Sequence, residues 1–261
     1  MFRFRSLALM AGIAALTVGA AAQAQDWSTI KGQIILKNAP APGLIDVNND
    51  KAHCLAKGPL VTESLIVNAK TNGVKYVVVW LRPDTENRKD AFPADKINPA
   101  LAKAAPVDRV IDQPCCQFEP RVLAARTGDK LVVKNSAPVA HNIKVSADDP
   151  VFTFNVNLPP GGNHKPDGGL TAQSSAIPFE CNVHTWMKGY LRVFDHPYFA
   201  VTDADGKYEI KDAPVGKWRL VIWQEGGFHK GKEGVLGMPV EVKGAVTEVP
   251  AVELKLPQAA P

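Results

Sequence analysis

After residue 25 the chain is a succession of short stretches rich in β-branched and aromatic residues, each closed by Gly, Pro, Asn or Asp. Such stretches run over Ile30–Leu36, Val74–Leu81, Leu131–Lys134, Gly189–Phe194, Lys207–Ile210 and Trp218–Trp223. They lack the 3.6-residue spacing of a helix and suit a pleated, half-buried surface. Thr127-Gly128-Asp129, Asp205-Gly206 and Pro214-Val215-Gly216 lie between them as turns, because Gly accepts positive φ and Pro presets its own. Only Pro93–Ala105 reads as a short helix. Many short strands with regular turns predict an all-β chain built of sandwiches.

The first residues are of another kind. Arg3 and Arg5 precede an apolar run from Leu7 to Ala22, and Ala22-Gln23-Ala24 has the small-x-small form of a cleavage site. Residues 1–24 therefore read as a secretory signal peptide cut before Gln25, which places the protein in the periplasm. No later run is apolar for long enough to span a bilayer. Removing Arg3 and Arg5 takes the formal charge of +4 to about +2, too weak a bias to indicate nucleic acid or an anionic membrane as partner. Outside the cytoplasm the cysteines, Cys54, Cys115, Cys116 and Cys181, can form disulfides, and several pairings are open.

Three regions follow the signal: an N-terminal β region at 25–106, a compact block at 107–195, and a smaller β region at 196–256. The 257–261 tail reads as disordered. The region 196–256 is short for a complete sandwich. Ile30–Leu36 and Val74–Leu81 are expected to pack onto it and complete it.

The middle block holds the chemistry. In Cys181-Asn182-Val183-His184-Thr185-Trp186-Met187 a thiolate, an imidazole and a thioether fall within seven residues, between two strand-like stretches. A loop of that length can turn all three toward one point. His141, after the stretch Leu131–Lys134 and a Pro-containing turn, offers a second imidazole. Two His and one Cys with a weak axial Met suit copper, whereas structural zinc would call for another Cys or His. A set without an open position supports one-electron transfer. His53, His164, His196 and His229 read as non-ligands. Trp186, beside His184, either shields the metal or joins Pro138 and Val139 in an apolar docking surface beside an exposed imidazole edge; an ordinary buried Trp is the other reading. No Ser-His-Asp set, phosphate loop or HExxH motif is present, so the chain does not read as an enzyme.

These two segments, Asn135-x(5)-His141-Asn142 and Cys181-x2-His184-x2-Met187 followed by Lys188-Gly189, resemble the cupredoxins, amicyanin and plastocyanin among them. The resemblance covers about 107–195. It implies a Greek-key β-sandwich with one type 1 copper ion, held by His141, Cys181 and His184 with Met187 axial, and Asn142 tying the two ligand loops together. A longer pattern, from Asp112-Gln113 through Cys116 and Phe118-Glu119-Pro120 to His196-Pro197-Tyr198, is similar to exported cupredoxin-like proteins labelled methylamine utilization proteins. In those a carboxypeptidase-regulatory-like, transthyretin-like sandwich follows. That similarity suggests a structural disulfide between Cys54 and Cys116, with Cys54–Cys115 also open.

The expected function is single-electron transport between periplasmic redox proteins. The alternatives are copper storage or delivery, and a surface binding or scaffold protein with a degenerate site.

Overall fold

The computed structural model describes residues 26–256, so the signal segment 1–24, its cleavage point and the 257–261 tail lie outside the described residues. In chain order the strands begin β1 (Trp27–Ile35), β2 (Val78–Pro83), β3 (Asp108–Ile111), β4 (Val122–Arg126), β5 (Lys130–Lys134), β6 (His141–Val145), β7 (Phe154–Leu158) and β8 (Asn163–His164). They continue as β9 (Ile177–Glu180), β10 (Lys188–Phe194), β11 (Phe199–Val201), β12 (Lys207–Pro214) and β13 (Gly216–Gln224). Four short strands follow: β14 (Gly227–Phe228), β15 (Met238–Val242), β16 (Val246–Glu248) and β17 (Val252–Glu253). One-turn helices α1 (Lys51–Cys54) and α2 (Pro99–Ala102) interrupt them. The chain is all-β, as its strand-length apolar runs require.

Two sheets enclose the first core. One has the order β4-β10-β9-β6-β7 and the other β3-β5-β8. Ile111, Leu131 and Val133 from the smaller sheet meet Ile143, Phe179, Leu191 and Val193 from the larger in one buried cluster. Val47 and Cys54, from the segment before residue 107, belong to the same cluster.

The second core lies between the sheet β12-β1-β16, with β17 on β1, and the sheet β11-β2-β13-β14, with β15 on β13. Here β1, which contains most of Ile30–Leu36, pairs antiparallel with β12, and β2 pairs with β13. The β1–β12 approach is close. Gly206 has φ +72°, and a Cβ there would lie 2.2 Å from the carbonyl oxygen of Ile34, so no other residue fits.

The unbroken apolar run Val77–Leu81 has a simple cause. Val79 and Leu81 face the second core, whereas Val78 and Trp80 pack against Val122, Ala124 and Phe194 of the first sandwich, together with Val221 and Trp223 of β13. The sheet β2–β13 is thus a wall shared by both sandwiches, buried on both faces. Arg121 crosses the same boundary: its Nε and Nη2 donate to Glu225 at 2.7 and 2.8 Å, and its Nη1 donates to the Lys188 carbonyl at 2.8 Å. Burial works against the Arg121 charge, but the Glu225 bond more than offsets it and its pKa is raised.

Two local expectations need correction. Val74–Leu81 is not a strand throughout, because Tyr76 takes φ 64° and ends the extended run, so β2 begins at Val78. Pro93–Ala105 does contain α2 and a 3-10 turn at Ala94–Lys96, but it is not the only helical segment. Lys51–Cys54 and Gly231–Leu236 also coil. Each is too short to display a helical period.

Candidate metal centre

His141 is the first residue of β6, placed there by the loop before it. Asn135, buried to 1% exposure, donates from Nδ2 to the carbonyls of Val139, Leu158 and Pro159, and its Oδ1 accepts the N–H of Ala137. Those bonds fold 135–140 into a tight turn against β7, so the chain enters β6 with the His141 side chain inward. The second ligand loop bridges β9 and β10, which pair antiparallel with Lys188 opposite Glu180. Within it, Cys181 N–H donates to the Met187 carbonyl at 3.1 Å and Met187 N–H to the His184 carbonyl at 2.8 Å. Asn142 joins the two loops: its Oδ1 accepts the N–H of Asn182 at 2.5 Å and of Val183 at 3.4 Å, while its Nδ2 donates to Asn155.

The result is a cluster in which donor atoms of His141, Cys181 and His184 all lie within 4.8 Å of one another. All three residues are buried, at 1, 2 and 0% exposure. Nδ1 of His184 is 3.9 Å from the Cys181 sulfur, which also accepts the His184 backbone N–H at 3.4 Å. The two imidazole centroids are 4.5 Å apart. Met187 is buried in the same core cluster as Cys181.

One feature tests whether a metal belongs here. Neither ring nitrogen of buried His141 has a hydrogen-bond partner among the described residues. Leaving an imidazole nitrogen dry and unpaired costs on the order of 1–3 kcal/mol, which native interiors avoid. Burial first, then the neighbouring His184 and His53, push the His141 pKa down to about 4, against a small opposing pull from Asp50. The His184 pKa is also lowered, by burial, although its bond to Asp50 pulls it up. Both rings are therefore neutral near pH 7, with lone pairs to give. A soft sulfur, two neutral imidazoles and a thioether nearby fit copper.

The structure adds residues that spacing could not reveal. Asp50, just before α1 and at φ 46°, reaches His184 and accepts its Nε2–H at 2.9 Å. That bond leaves Nδ1 as the lone-pair nitrogen, facing the sulfur, in the way a carboxylate commonly orients a ligating imidazole. Cys54 ends α1 and is bonded to Cys116, so a disulfide fastens this turn over the site. Cys115 and Cys181 are free. His53, on the same turn, acts electrostatically on both His141 and His184. Asp50 is 134 residues from His184, and a single turn has no sequence period. The one available signal is Cys54 itself, whose pairing with Cys116 brings its neighbours to the ligand block.

The expectation of an exposed imidazole edge is corrected by this cap: His184 has no exposed surface. Trp186 is half-buried, edge-on to His184 with centroids 5.1 Å apart, and its indole N–H donates to the Cys116 carbonyl at 3.0 Å. Pro138 is exposed, Val139 half-buried and Val183 39% exposed. His164, His196 and His229 stand outside the cluster.

No family model and no curated protein matches the chain. Among solved structures it is similar to a purple cupredoxin from Nitrosopumilus maritimus, at 21% identity and TM-score 0.28, over 33% of this chain and 99% of that one. It is similar also to the copper-containing nitrite reductase of Thermus scotoductus, at 20% identity and TM-score 0.31, over 38% of this chain and 27% of that one. An amicyanin variant in its Cu(I) form aligns at 19% identity and TM-score 0.28, over 38% and 92%. These likenesses are partial and low-scoring. The chemistry of the centre rests on its own side chains.

Proposed function

We propose that the protein is an exported single-electron carrier in which His141, Cys181, His184 and Met187 would hold one type 1 copper ion. The observation that carries this reading is the buried His141 ring, without a partner on either nitrogen among the described residues, beside a free buried thiol and a second imidazole. When bound, copper supplies a one-electron couple. The chain's own contribution is to keep the donors in one arrangement through the Asn135 and Asn142 bonds and to exclude water by burying them. A rigid, dry donor set suits a centre that changes oxidation state in place. The same burial speaks against the storage or delivery alternative, in which the ion must leave easily.

Export is supported by the Cys54–Cys116 disulfide, a bond that persists in oxidising compartments. Periplasmic redox proteins are the partners this reading calls for, with Pro138, Val139 and Trp186 the apolar side chains proposed to meet them. The chain catalyses no reaction of its own in this account.

The test is to add Cu(II) to the purified protein. An intense visible thiolate-to-copper band is expected at one ion per chain, and Cys181→Ser abolishes it. A colourless protein that takes up only Cu(I), or a band that survives Cys181→Ser, refutes the reading.

A further inference from the structure

A second site lies away from the metal centre, where the two sandwiches meet. Arg192, on β10, is buried to 5% exposure, yet no carboxylate pairs with it among the described residues. Its only hydrogen bond there runs from Nη1 to the Ser174 carbonyl at 3.3 Å, and its Nε has no partner. Burial alone lowers its pKa to about 10. The guanidinium lies over the Trp80 ring at 4.9 Å, and over Phe194 and Trp223 at 5.6 and 5.7 Å. Those faces attract the flat cation but leave its in-plane Nε–H unsatisfied. Proteins seldom bury a charge without pairing it.

Arg192 lines a cavity of about 370 Å³, a volume in the range of small-ligand pockets. Arg82, Arg88 and Lys89 also line it, against only Asp90 and Asp195. Asp90 already accepts a bond from Asn87, and Arg82 is occupied by the carbonyls of Thr85, Asn87 and Leu236. The free positive charge is therefore that of Arg192 inside and of exposed Arg88 and Lys89 at the rim. Much of the remaining wall is apolar, with Trp80, Phe92 and Phe194 prominent.

We propose that this cavity binds a small organic carboxylate, its anionic end on Arg192 and its apolar body against the aromatic wall. A guanidinium with unused in-plane donors matches the two oxygens of a carboxylate, and the rings favour an anion that carries a hydrocarbon part over a bare one. The site is separate from the metal centre and does not depend on copper.

Benzoate titrated into the full-length protein by calorimetry tests the proposal, with inorganic phosphate as the comparison. Saturable one-to-one binding of benzoate is expected, weakened at least tenfold in Arg192→Met. Arg88→Ala, an exposed change that leaves the interior alone, should weaken it several-fold and make it less sensitive to salt. Absence of saturable benzoate binding, an unchanged affinity in a folded Arg192→Met protein, or binding of phosphate in place of benzoate would each overturn it.

Discussion

Cutting the Cys54–Cys116 cross-link separates what the bond does for the fold from what it does for the metal. The bond closes a loop with a sequence separation of 62. In the chain-entropy account a loop of that size, when opened, returns about 4 kcal/mol of freedom to the unfolded state at 25 °C. Both sulfurs lie inside the first core, so truncation to alanine adds a packing loss on top. Reduction of the unaltered chain avoids that loss and is the cleaner perturbation. Urea unfolding of oxidised and reduced protein should show the midpoint falling by the equivalent of about 4 kcal/mol, with a larger loss for Cys54→Ala with Cys116→Ala. Cys115→Ala, at the free cysteine outside the bond, serves as control and should change little. A reduced protein within about 1 kcal/mol of the oxidised form would refute the argument from loop closure. A large effect of Cys115→Ala in place of Cys116→Ala would refute the pairing.

Two further outcomes follow from the same geometry. Asp50→Ala removes the acceptor that orients His184 and should lower Cu(II) affinity about 10- to 100-fold, whereas Asp50→Asn, whose amide oxygen still accepts and whose side chain tolerates the positive φ, should retain most of it; competition with a chelator measures both, and equal affinities in all three proteins would refute the role given to Asp50. His196, buried among Phe92, Phe194 and Tyr198, has its pKa pushed down to about 3 by burial, and its Nδ1 accepts the Tyr198 N–H. The unfolded chain takes up this proton first, near pH 6.5, so the contribution is complete above that pH and is lost as pH falls toward 3, by about 2 kcal/mol between pH 6.5 and 5. His196→Asn keeps an acceptor near the Nδ1 position without titrating, and its stability should fall less steeply than the parent's over that interval; parallel curves would refute the assignment.

The ligand loop was legible because its donors are local: Cys181, His184 and Met187 need only one turn of chain between adjacent strands to approach each other. His141 could be added because its own loop announces itself through Asn135 and Pro138. Val74–Leu81 likewise read as a strand, although nothing in it showed that β2 begins at Val78 or that its two faces would serve different cores. Asp50 was beyond reach for a physical reason. Its contact with His184 depends on a cross-link and on a single helical turn, neither of which leaves a period in the sequence. The unpaired charge of Arg192 was hidden in the same way, since a strand arginine reads as solvent-facing until a second sheet covers it.

The partners of β1 carry a consequence for the order in which the two sandwiches form. The strand partners of Trp27–Ile35 are Lys207–Pro214, Val246–Glu248 and Val252–Glu253, all far along the sequence. Nearer to it, among the described residues, lie only an isolated bridge of Ile35 with Gly73 and the bond from Val74 N–H to the Ile34 carbonyl. A strand whose ladders all form with distant segments must close long loops before it pairs, and pairing over such distances is slow. The second sandwich is thereby expected to close after the first, whose strand pairs β3–β5, β6–β7 and β9–β10 join segments much nearer in sequence.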